Sequence, residues 1–200
     1  MFKRNGRLIW VIFLYSVISF ATDLTLNAFS PKGFPVLRFT IFSFFTIIEY
    51  SFFSLFLYHI ILTRTFKTII IAVSIVFLFF AIFSYFKSIG KIGFDSFPAS
   101  IESIIVIIYC IFYFFEQINN PTVSLVYESK YFWIIIGFLL YLAGGLFLFM
   151  LAAGFTQKQI VAYWDINYGV NILKNLLFAV AFLMKKNPSN QSSIRKPYNI

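Results

Sequence analysis

The feature that most constrains this chain is its series of apolar stretches about 20 residues or longer, several with no more than one or two ionisable groups. Crossing ~30 Å of hydrocarbon takes about 20 consecutive helical residues, and a soluble core helix rarely needs such length without interruption. The strands of a membrane barrel alternate polar and apolar residues over about ten positions. These segments are continuously apolar and about twice as long. The expected fold is therefore all-α: a polytopic transmembrane bundle of about six spanning helices.

Composition agrees. Hydrophobic residues make up 60% of the 200 positions and charged residues 12%, whereas soluble domains are about half apolar and about a quarter charged. The formal net charge of +9 raises the question of nucleic acid. The basic residues stand singly or in pairs beside apolar segments, as membrane anchors do, and form no groove-sized patch. Nucleic acid is thus excluded as a partner, and the lipid bilayer is the expected one. Cys110 is the only cysteine, which leaves no intrachain disulfide and no multi-cysteine metal site.

Breakers divide the chain. A first span covers about residues 8–29 and is followed by Ser-Pro-Lys-Gly-Phe-Pro (30–35), whose prolines cannot continue a helix. Lys3, Arg4 and Arg7 precede this span as in a secretion signal. Its hydrophobicity runs on past Leu24, beyond a signal's apolar region, so it is expected to stay as a helix. The second span covers about 36–62. A basic turn at 63–67 leads to the third, about 68–86. Ser96 as N-cap and Pro98 in the first turn open the fourth, about 96–117. The fifth covers about 131–154 and the sixth 160–184. Residues 1–184 thus read as a single bundle domain, and 185–200 as a polar cytoplasmic tail, expected to be disordered. No internal repeat stands out, so an inverted-repeat transporter has no direct support.

With the N-terminus in the cytoplasm, ten of the Lys and Arg residues near the membrane fall on that side and five on the other. Cytoplasmic N- and C-termini are therefore expected.

An ionisable side chain at mid-bilayer costs about 3 kcal/mol or more unless it is paired or solvated, so the charges within spans are the informative ones. Asp23, Glu49, Glu102, Glu116, Asp165 and Lys174 all fall there. At ~100° per residue, Trp164, Asn167, Tyr168, Asn171, Lys174 and Asn175 share a sector of about 120° on the sixth helix, opposite Ile166, Leu173 and Val180. Ser16, Ser19, Asp23 and Asn27 share a face of the first helix. Glu102, Tyr109, Tyr113 and Glu116 share one of the fourth. Such stripes must face protein or water.

At 1.5 Å per residue, Glu49 and Lys174 come out nearly level, ~20 Å deep, with Asp23, Glu102 and Asp165 nearer the outer surface. This predicts an outward-facing acidic vestibule above a Glu49–Lys174 pair. The candidate ligand- or ion-binding set is Glu49, Lys174, Asn171, Asn175, Trp164, Asn167, Asp23 and Glu102. The bland alternative is that the asparagines bond helix to helix and the ion pair only specifies packing. Gly137, Gly144, Gly145 and Ala152 form a small-residue face on the fifth helix, which reads as a close helix contact.

Sharper chemistries find no support. The sequence has no HExxH, GxSxG, P-loop or dinucleotide fingerprint, and the single histidine, His59, lies near the end of the second span. The lysine in the last helix lacks the surroundings of a retinal site. No catalytic residue, metal or cofactor is expected, and enzymatic activity is not indicated.

The segment YWDINYGVNILKNLLFAVAF (163–182), and more weakly LYSVISFATDL (14–24) and FTIIEYSFFS (45–54), resemble a family of small uncharacterised bacterial multi-spanning membrane proteins. Their last helix carries Trp and then two Asn four residues apart, here Trp164, Asn171 and Asn175. The resemblance implies a six- or seven-helix protein of the bacterial cytoplasmic (inner) membrane; against seven helices, this chain would be a version lacking the extra N-terminal helix or one given a late start site. Where the relatives tend to carry histidine, this chain has Asn167. The family implies no activity.

Two functional readings remain. One is a sensor-like or signal-relaying bundle whose polar interior binds a small ligand or ion and passes the change to a membrane or cytoplasmic protein partner. The other is a small transporter or ion-coupled carrier that uses Glu49, Glu102 and Asp23 along a path.

Overall fold

The structure, a computed structural model, describes residues 2–29, 35–88, 96–121, 125–151 and 157–184. Its long helices are α1 (Phe2–Phe29), α2 (Pro35–Ile60), α3 (Arg64–Ser88), α4 (Ser96–Asn119), α5 (Lys130–Leu151) and α6 (Gln157–Leu183). A 3-10 turn, Val126–Glu128, precedes α5. Among the described residues every regular element is helical, and all six long helices are long and apolar enough to cross a membrane. The all-α expectation holds. The tail, 185–200, and Ala152 lie outside the described residues.

Several helices begin before the apolar spans do. α1 takes in Lys3, Arg4 and Arg7, which are good helix formers. α2 starts on Pro35, whose fixed φ and missing N–H are tolerated in a first turn. The basic segment 63–67 also differs from expectation. Only Ile61 to Thr63 connects α2 to α3, and Arg64 to Lys67 form the first turn of α3.

A carboxylate from α4 explains that early start. Glu116 accepts the backbone N–H of Leu62 at 2.8 Å and of Thr63 at 2.7 Å, and also the Thr63 hydroxyl. Donors at the helix start that would otherwise go unsatisfied thus end on a charged acceptor. Glu116 is buried, so this in-span charge is accounted for structurally.

α2, α4 and α5 form the centre of the bundle. α1 and α3 pack on α2, while α6 packs on α5 and touches α1. The closest approach is between α5 and α6, and glycines allow it. A Cβ on Gly144 would lie 2.5 Å from Val170 Cγ1, and one on Gly137 2.9 Å from the Phe178 ring. The expected close contact of the α5 glycine face is therefore present, since small residues let helix backbones approach.

Aromatic rings fill the core between these helices. Phe53 of α2 stacks on Phe138 of α5 with centroids 4.0 Å apart, and Phe56 and Phe178 meet Phe138 edge-on, each at 5.6 Å. Edge-on and offset pairings of this kind favour rigid packing. All four rings are buried. They form a contiguous apolar layer of four rings on the side of the bundle that holds the α2–α3 connection and the N-terminal end of α5.

Candidate functional site

Lys174 determines what α6 turns inward. Its side chain is fully buried, and a lone ammonium at that depth must find charge and acceptors within the bundle. Three helices supply them. Glu49 of α2 brings Oε1 to 4.0 Å from Lys174 Nζ. Tyr15 of α1 stands between the two: Nζ donates to the Tyr15 hydroxyl, which donates in turn to Glu49 Oε1. Tyr141 of α5 donates to Glu49 Oε2 at 3.3 Å. The rings of the same tyrosines cover the ammonium, their centroids 3.9 Å (Tyr141) and 4.7 Å (Tyr15) from Nζ. A desolvated cation gains from such faces.

The expected pair is therefore a bridged pair. Its chemical capacity follows from the order of donors. If Lys174 passed a proton to the Tyr15 oxygen as Tyr15 passed its own to Glu49, the ions would become amine and acid. Tyr15 would end unchanged.

Next to the pair lies a cavity of ≈ 40 Å³, with Glu49 and Tyr141 at its inner end. Asp23 and Ser19 of α1, Thr46 of α2, Glu102 of α4, and Asn167 and Asn171 of α6 contribute polar atoms to its wall. Asn171 donates to Asp23 Oδ2 at 3.2 Å, linking α6 to α1. Glu102 is 2% exposed. Its Oε1 and Asn167 Oδ1 are buried acceptors without a hydrogen-bond partner. Relative to the pair, the cavity lies on the opposite side from the aromatic layer.

The predicted residues fare unequally. Glu49, Lys174, Asn171, Asn167, Asp23 and Glu102 come together around the pair and cavity. Asn175 does not: it is exposed, and its amide reaches only Asn171 Oδ1, at 3.4 Å. With Lys174 pointing inward, Asn171 and Asn167 lie within ~60° of it, whereas Asn175 is turned by ~100°. Tyr168 and Asp165 are exposed as well, so the inward stripe of α6 is narrower than the sequence implied. The Trp164 and Asn27 side chains lie outside the described residues.

Sequence reasoning missed Tyr15 and Tyr141. A signal existed for each. Tyr15 is four residues before Ser19 on the polar face of α1, and Tyr141 is four after Gly137 on the packed face of α5.

Compared with known proteins, the chain matches no family model, no curated protein and no solved structure.

Proposed function

We propose that this membrane protein is a sensor-like module, in which the Lys174–Tyr15–Glu49 chain reports the occupancy of the neighbouring cavity. The observation that carries this reading is the position of that chain, at the inner end of a polar cavity and beside a cluster of buried, stacked aromatic rings. At ≈ 40 Å³, the cavity has room for one to a few water-sized occupants. Pockets for organic ligands start at about 300 Å³. The input is therefore of ionic or water size.

An occupant that alters the charge beside Glu49 alters its hold on Tyr15 and Lys174. Because those groups belong to α1, α2 and α6, the change would reach the ends of three helices, where a membrane or cytoplasmic protein partner could read it. The setting we propose is the bacterial cytoplasmic membrane with both termini inside. The excess of basic residues on that side supports the orientation, and the family resemblance supports the setting. In that orientation the cavity faces outward.

A second reading, an ion-coupled carrier, is favoured by the succession of Asp23, Glu102 and Glu49 along one cavity. It requires a way through the Phe53–Phe138 layer. Liposomes containing the purified chain and a trapped pH dye, under an imposed proton or sodium gradient, separate the two. The sensor reading expects flux equal to that of empty liposomes. Flux above that level, abolished by Glu49→Gln, would replace it with the carrier.

A further inference from the structure

We propose that the cavity is a binding site for one monovalent cation, with sodium as its occupant, held by Glu102 and Asn167 beside Asp23. This names the ligand class of the site on which the sensor reading rests.

The wall of the cavity is rich in acceptors, and several of its donors are already engaged. The hydroxyls of Thr22, Thr46 and Ser103 donate to their own helices, at Ile18 O (2.9 Å), Phe42 O (3.1 Å) and Ala99 O (2.8 Å). Their hydrogens are thereby engaged and their lone pairs remain. The Asn171 amide is engaged by Asp23, and the Tyr141 hydroxyl by Glu49. Into this lining come two buried acceptors with nothing to accept from, Glu102 Oε1 and Asn167 Oδ1. A native interior seldom leaves such atoms unmatched.

Charge points the same way. Lys174 answers Glu49. Among the described residues, neither Asp23 nor Glu102 has an ammonium or guanidinium within ion-pairing distance. Asp23 is half-buried, but Glu102 is buried, and a buried carboxylate requires a counter-charge or a proton. An anion is repelled by this wall, and an organic amine exceeds its volume. A hydrated ion also exceeds it, so the occupant must exchange its water for protein oxygens, which hard cations do.

Divalent cations favour several converging carboxylates. No three of the described His, Cys, Asp and Glu side chains form a metal-holding group. A wall of one or two carboxylates with amide and hydroxyl oxygens suits a single positive charge.

Radioactive sodium binding to the purified full-length chain tests this, with choline chloride holding ionic strength constant. The expected result is saturable binding of one sodium per chain, weakened at least roughly tenfold by Glu102→Gln and again by Asn167→Leu. The wild-type measurement needs no variant to fold. Absence of saturable sodium binding to wild type would overturn the proposal and leave water as the occupant. Unchanged affinity in a folded Glu102→Gln protein would overturn the assignment of the ligands. Sodium binding together with net flux in liposomes would retain the site and discard the sensor reading. Absence of both binding and flux would remove the cation and leave the relay reading intact.

Discussion

Lys174 and Glu49 approach to 4.0 Å, yet their strongest connection runs through the hydroxyl of Tyr15, which accepts from one and donates to the other. The ion pair thus depends on a third residue that carries no charge. Three helices, α1, α2 and α6, are tied at one point.

Removing one charge of the pair should therefore cost more than removing both. Glu49→Gln or Lys174→Met alone leaves a buried unmatched charge, a loss of about 3–5 kcal/mol. The double variant should recover much of it. Thermal stability in detergent of the four proteins gives the coupling energy directly. Strictly additive losses would show that the two charges do not interact.

The tyrosines should be unequal. Tyr15→Phe removes a hydroxyl that bonds to both charged groups and should cost about 1.5–3 kcal/mol. Tyr141→Phe removes one long bond of 3.3 Å and keeps the ring over the ammonium, so its cost should be about 1 kcal/mol or less. The same melting experiment ranks them, and equal losses would argue against the bridging role of Tyr15.

Glycine substitutions should separate contact from propensity. Gly144→Ala puts a methyl group 2.5 Å from Val170 Cγ1, where α5 or α6 must shift, while a Cβ on Gly169 meets nothing within 4 Å. Gly144→Ala should lower the melting temperature, with a cost of about 1–3 kcal/mol. Gly169→Ala should be neutral or stabilising by up to about 1 kcal/mol. A stable Gly144→Ala protein would mean that α5 and α6 pack less closely than described.

Topology has its own measurement. A reporter that is active only in the cytoplasm should work when fused after Ile200, and also when inserted at Asn120. Activity of a periplasmic reporter at either point would reverse the orientation inferred from the ten-to-five distribution of basic residues.

Much of this arrangement was legible from two numbers, the length of an apolar run and the 1.5 Å rise per residue. The run lengths set six helices, and the rise put Glu49 level with Lys174. The polar face of α1 turned Asp23 toward protein or water, and in the structure it meets Asn171. Tyr15 and Tyr141 were hidden by their own abundance: among 12 Tyr and 30 Phe, a ring that covers an ammonium looks like one that fills the core. Asn175 was misplaced because a polar sector read from one helix has no neighbour to set its edge. The first turn of α3 was unreadable for a related reason, since the carboxylate that completes it lies more than fifty residues later, at Glu116.

The aromatic layer has an electrical consequence. Voltage across a membrane falls most steeply where matter is least polarisable. Packed rings at Phe53, Phe56, Phe138 and Phe178 polarise less than a cavity walled by carboxylates, amides and hydroxyls. A voltage applied across the bundle would therefore fall more steeply over those rings, which adjoin Glu49 and Lys174, than over the cavity. Carrying one elementary charge through a full 100 mV is worth about 2.3 kcal/mol. A cation drawn through the cavity toward Glu49 would cross only the shallow part of that fall, and the steep part would begin just beyond it.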